Sequence, residues 1–101
     1  MPGQTGEKIC VIWRPLASRQ WERILEFFVT RNGSVDYSNK LDEKLKKRLE
    51  QLRHNPKVGQ KTKRKGVRRI IVENYAVFFR ATRDAVEVKT IVDARRNVPL
   101  D

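Results

Sequence analysis

Eight basic side chains and no acid stand between Arg53 and Arg69: Arg53, Lys57, Lys61, Lys63, Arg64, Lys65, Arg68 and Arg69. The run passes directly into Ile70-Ile71-Val72. Part of this charge therefore belongs to an apolar strand, which fixes it in space. Arg80 follows in a second apolar segment, and Arg95-Arg96 close a third. Cations held in this way bind phosphate or carboxylate oxygens. Several of them could also stabilise charge that develops on a phosphate during transesterification. One lysine inside so dense a cluster would have a depressed pKa and could act as a base. Cutting RNA also requires an acid for the leaving oxygen. Tyr37 belongs to a helical segment and Tyr75 starts a strand, where its ring packs. The cluster thus signals binding more strongly than catalysis.

Other chemistries find little support. One histidine and one cysteine cannot build a zinc site, and His54 stands beside Pro56 as a solvated helix-end residue. The segment from Gly59 to Gly66 lacks the Lys-Ser or Lys-Thr pair of a phosphate-cradling loop. No cofactor and no metal are expected. Cys10 lies in an apolar run and reads as a buried, inert thiol. As the single cysteine, it makes no intrachain disulfide.

The cations need a scaffold, and 101 residues at 39% hydrophobic supply one domain, 1–101, with a polar tail over 1–7. The formal net charge is +11 and the sequence pI about 10.4. Such a balance favours nucleic acid, an anionic membrane or an acidic protein as partner. No apolar run approaches the ~20 residues of a membrane helix, and Met1 to Lys8 has no apolar signal region. The basic residues are not interleaved with exposed bulky apolar ones, as a membrane-surface helix requires. A cytoplasmic protein without membrane contact is the expectation.

The elements follow from periodicity. Lys8 to Trp13 reads as a strand buried on both faces. Pro15 suits the first turn of a helix whose stripe is Ala17, Trp21, Ile24, Leu25 and Phe28, ended by Asn32-Gly33. Ser34 can cap a second helix with the stripe Ser38, Leu41, Leu45, Leu49 and Leu52, closed by Asn55-Pro56. A basic loop spans Lys57 to Gly66. Three strands of an antiparallel meander follow: Val67 to Val72, Tyr75 to Ala81 and Ala85 to Val92. Asp93 to Asp101 is a short polar end. The fold class is α+β, in the order β-α-α-β-β-β. A helical hairpin packs on a curled, mainly antiparallel four-stranded sheet. The first strand is expected antiparallel to the second and the fourth, with its neighbour undecided. The start of the second strand lies near the end of the third, so Arg68 and Arg80 are expected to converge beneath the Lys57 to Lys65 loop. A solvated charged surface is the plain alternative, but ordinary surfaces mix signs.

This order and these residues resemble the RelE/ParE superfamily of toxins from bacterial type II toxin–antitoxin modules. The resemblance spans about Ile9 to Pro99 and rests on an ordered set. It comprises Val11-Ile12-Trp13-x-Pro15-x-Ala17, the stripe from Trp21 to Phe28, and Leu52-x-x-Asn55-Pro56-x-x-Gly59. It continues through Gly66-Val67-Arg68-Arg69-Ile70-Ile71-Val72, then Asn74-Tyr75 and Val77-Phe78-Phe79-Arg80, and ends in Ile91-x-Asp93-Ala94-Arg95-Arg96-Asn97-x-Pro99. The Gly-x-Arg before the second strand and the Arg-Arg-x-Pro ending resemble the ParE branch, which implies inhibition of DNA gyrase and growth arrest until an antitoxin neutralises the toxin. The RelE branch implies a ribosome-dependent endoribonuclease that cuts mRNA, with Arg68, Arg80 and Arg95 where that branch holds catalytic cations. That branch also uses a C-terminal Tyr or His, and nothing after Tyr75 here is either. A non-toxic nucleic-acid-binding or ribosomal protein is the third reading. On all of them the expected target-binding set is Lys61, Lys63, Arg64, Lys65, Arg68, Arg69, Arg80, Arg95 and Arg96. The resemblance also implies a cognate antitoxin, acidic at its toxin-binding segment and disordered until bound.

Overall fold

A computed structural model of the chain describes residues 10–96. The elements are β1 (Cys10–Trp13), α1 (Pro15–Asn32), α2 (Asp36–His54), β2 (Gln60–Lys61), β3 (Val67–Val72), β4 (Tyr75–Ala81) and β5 (Ala85–Asp93). Single 3-10 turns at Pro56–Val58 and Ala94–Arg96 follow α2 and β5. The strands form one open mixed sheet in the order β1-β5-β4-β3-β2. The helical hairpin covers one face of it.

Pro15 starts α1 because its fixed φ suits the first turn, and its missing N–H would have no helical acceptor there. Gly33 ends it with φ 69, donating its N–H to the Val29 carbonyl. Ser34 does not sit at the cap position of α2. That place falls to Val35, while the Ser34 hydroxyl accepts from the Asp36 N–H at 3.1 Å. The stripe of α2 is as expected: Ser38, Leu41, Leu45, Leu49 and Leu52 are all buried. Two polar bonds lock the helices in register. Ser38 donates to the Leu25 carbonyl at 2.7 Å, and the Trp21 indole donates to Asp42 at 2.9 Å. Partial burial pushes the Asp42 carboxyl up, but hydrogen bonds from Lys46 and Trp21 outweigh this and hold it below the usual carboxylate range.

The main core lies between the helices and the sheet, around Phe79, Leu41, Leu45, Leu52, Val77 and Val86, all at most 1% exposed. A smaller cluster of Val67, Ala76 and Phe78 lies on the other face of the sheet. Gly59 joins the main core by close approach. A Cβ there would stand 2.6 Å from the Phe79 ring and 3.2 Å from the Arg68 Cβ.

Two topological expectations are corrected. The sheet has a fifth strand, because the basic segment is not simply a loop: Gln60–Lys61 pairs antiparallel with Arg68–Arg69. A turn over 62–66 then reverses the chain into β3. That extra reversal changes the direction of everything after it. Consequently β1 is parallel to β5, with Cys10 opposite Ala85 and Trp13 opposite Val88. As an edge strand β1 is not buried on both faces. Ile12 is 44% exposed and Cys10 is exposed rather than buried. Beyond the end of β1, Gln20 of α1 takes over the edge and accepts from the Ile91 N–H at 2.7 Å and the Thr90 hydroxyl at 2.9 Å. No helix among the described residues is long and apolar enough to cross a membrane.

Candidate target-binding surface

Strand alternation and register decide which way each cation faces. Arg68 is opposite Phe79, and Arg80 is opposite Val67. Phe79 belongs to the helix-covered core, Val67 to the open-face cluster. Arg68 and Arg80 therefore occupy opposite faces and do not converge as expected. Arg68 serves the frame: its guanidinium donates to the Gly59 carbonyl at 2.8 Å. That bond holds the segment whose glycine presses on Phe79.

The open face gathers a different set. Arg69 is opposite Phe78 and shares this face with Arg80. Arg69 donates to Gln60 at 2.8 Å, while its Nε is buried with no partner among the described residues. The Arg80 guanidinium lies beside Gly66, 3.5 Å from where a Cβ would stand there. Gly66 also needs its left-handed φ of 82 to turn the chain into β3. The arm carrying Lys61, Lys63, Arg64 and Lys65 is knitted by Thr62. Its hydroxyl donates to the Val67 carbonyl at 2.8 Å and accepts from the Arg64 N–H at 3.2 Å. The Thr62 N–H donates to the Val67 carbonyl and the Val67 N–H to the Arg64 carbonyl. The cationic arm is thus a held turn.

Arg95 lies elsewhere. It follows β5 at the end where Tyr75 pairs with Asp93, the far end from Arg80. Its guanidinium grips Asp93 at 3.1 and 3.0 Å. The backbone of Arg96 ends the adjacent 3-10 turn, and the residues after it, Pro99 included, lie outside the described residues.

Around Arg95 runs a groove of about 610 Å³ between α1 and the sheet. Ile24, Phe27, Phe28, Tyr37 and Ile91 give it an apolar lining, with Arg23, Arg31 and Arg95 as its cations. The aromatic rings form a chain: Phe27 to Phe28 at 5.1 Å and Phe28 to Tyr37 at 4.8 Å. Arg31 stands 5.9 Å over the Phe27 ring. Phe27 is 55% and Tyr37 39% exposed.

A second cavity, about 400 Å³, opens on the other face, and its cations are Arg14, Arg64 and Lys89. Two of these escaped the sequence reading. Arg14 precedes the helix-starting Pro15 and belongs to none of the basic clusters of the sequence. Lys89 reaches the open face through a register irregularity: Phe79 pairs with Val88 but Phe78 with Thr90, which leaves Lys89 as the extra residue of a bulge. Among the described residues, no three His, Cys, Asp or Glu side chains cluster as metal ligands would.

The differing placements of Arg68 and Arg80 predict different phenotypes. Arg68→Ala is expected to lose about 1 kcal/mol of stability through the freed Gly59 carbonyl, seen as a lower thermal midpoint. Arg80→Ala, on an exposed side chain, should leave the midpoint unchanged. Equal midpoints for Arg68→Ala and the parent would mean that the bond to Gly59 contributes nothing in solution.

Comparison with known proteins converges on one family. A family model described as ParE toxin of type II toxin-antitoxin system, parDE, matches residues 11–98. Nine solved chains match the fold. One of them, from the chromosomal ParDE toxin–antitoxin system of P. aeruginosa, superposes with a TM-score of 0.73 over 85% of this chain and 96% of its own. It is 17% identical, so the likeness is one of fold. A search of curated protein sequences finds no significant match.

Proposed function

The chain belongs to the ParE toxin family, as a toxin of a type II toxin–antitoxin system with an antitoxin for partner, and we propose that it arrests growth by binding DNA gyrase in the cytoplasm. The family match over residues 11–98 carries this reading. The open face supports it as a binding surface. Arg64, Arg69 and Arg80 stand on it, and the Thr62 turn that holds Arg64 also bears Lys63 and Lys65, while Lys61, opposite Arg68, belongs to the other face. The face is less suited to cutting RNA. Tyr37 and Tyr75 line the groove by α1 rather than the open face that carries Arg69 and Arg80. Purified toxin is expected to inhibit gyrase supercoiling or to trap cleaved DNA. An arrest in which gyrase activity stays normal would sink the reading, and A-site cuts in mRNA from arrested cells would replace it with the endoribonuclease.

The antitoxin's place is the groove beside α1. It combines an apolar, aromatic lining with Arg23 and Arg31, neither of which is ion-paired among the described residues. An amphipathic helix with acidic residues flanking its apolar stripe is the complement of that surface. Arg95 reads with this groove rather than with the target site.

A further inference from the structure

We propose that the cavity on the open face is a phosphodiester-binding site, and that the strand it holds is DNA. The assignment to DNA rests on the gyrase reading; the site itself rests on how the cavity is built.

Three separate elements bring its charges together. Arg14 comes from the junction of β1 and α1, Arg64 from the Thr62 turn, Lys89 from the β5 bulge, and Val67 and Phe78 of β3 and β4 line the remainder. No acid lines it. Among the described residues none of these three cations is ion-paired. Neighbouring cations without counter-ions repel one another, and that cost is relieved only by an anion from outside. The bulge makes Lys89 an added charge: ordinary alternation would place either Lys89 or Thr90 on this face, whereas both line the cavity.

The start of α1 adds to the same field. The helix has no side-chain cap, and its first backbone bond runs from Ser18 to Arg14. The N–H groups of Leu16 and Ala17 therefore have no acceptor within the helix, and Arg14, Pro15 and Leu16 all line the cavity. Arg64 is held at both its backbone groups, with its N–H on Thr62 and its carbonyl on the Val67 N–H at 3.1 Å. Buried Val67 and Phe78, at 5% and 6% exposure, exclude water from one side, which strengthens charge interactions above them. Arg69 and Arg80 lie further along the same face, so a strand seated in the cavity can continue over them. A run of cations along one face suits a backbone with repeating phosphates better than a single small anion.

The test uses the whole chain and three labelled oligonucleotides of one sequence: single-stranded DNA, duplex DNA and single-stranded RNA. Arg64→Gln/Lys89→Gln is compared with Lys40→Gln/Lys47→Gln, which removes equal charge from the exposed side of α2. The cavity variant is expected to bind DNA about tenfold or more weakly, and its log-affinity against log-salt slope should flatten by about 1.4 on single strands, at about 0.7 per lost phosphate contact. The α2 variant should bind nearly as the parent does. Thermal midpoints equal to the parent's confirm that both variants fold. If the two variants weaken equally, binding follows net charge alone and the cavity is no site. Binding of RNA with no binding of DNA would overturn the assignment to DNA. None of these measurements involves gyrase, so they stand apart from the supercoiling assay.

Discussion

Toxin carrying Phe27→Asp is expected to arrest growth even when its antitoxin is co-expressed. Phe27 is 55% exposed on α1 and heads the aromatic chain through Phe28 to Tyr37. Its removal leaves the core intact, since the buried stripe of α1 is carried by Ala17 and Trp21. Aromatic anchors of this kind dominate interfaces, and losing one costs about 2 to 4 kcal/mol, or about 30- to 1000-fold in affinity. Aspartate goes further than alanine here. It puts a negative charge where Arg31 stood over a ring, and it repels the acidic side chains expected on the partner helix. Calorimetric titration of antitoxin into parent and variant gives the affinity ratio; gyrase inhibition by the variant shows that the toxin is otherwise whole. Neutralisation at the parent's level would place the antitoxin on another surface.

Gly59→Ala is expected to lower the thermal midpoint by about 5 to 20 °C, from about 1 to 3 kcal/mol of overpacking at about 4 to 8 °C per kcal/mol. The conformation of Gly59 does not demand glycine, since its φ is −70. Space demands it: the new methyl would meet two ring atoms of Phe79 at 2.6 and 2.8 Å. Phe79 is fully buried and cannot swing aside. Phe79→Leu removes those ring atoms at its own cost in cavity. The double variant should therefore lose less than the sum of the two single losses, a coupling that thermal or denaturant unfolding reads directly. Additive losses would show that the two residues do not touch in solution. The coupling also reports on the arm, because Arg68 bonds to the carbonyl of this same glycine.

The elements best read from sequence are those whose signal is local. The α2 stripe of Leu41, Leu45, Leu49 and Leu52 repeats at helical spacing and is buried throughout. Val67–Val72 and Tyr75–Ala81 have the expected bounds, because two-residue connections and β-branched runs mark strands within a short window. The β2 strand was hidden because its two residues, Gln60 and Lys61, are polar and exposed. They are strand only by pairing with β3. Missing that pairing reversed the expected direction of β1 relative to β5, whereas Cys10 is exposed because β1 is an edge strand, which its apolar run does not reveal.

The site shows the same division. Composition and the acid-free run from Arg53 to Arg69 establish a cationic surface, and the ordered motifs establish the family. Those are properties of residue type and order, which the sequence states outright. Which cations act together is a matter of faces. Register puts Arg68 behind the sheet and Arg80 before it, a bulge turns Lys89 forward, and the β1–α1 junction carries Arg14 to meet Arg64. Faces depend on pairings between residues far apart in the chain, and a shift of one residue inverts them. Only the tertiary structure fixes those pairings, because the energy that selects them comes from the shared core rather than from the strands themselves.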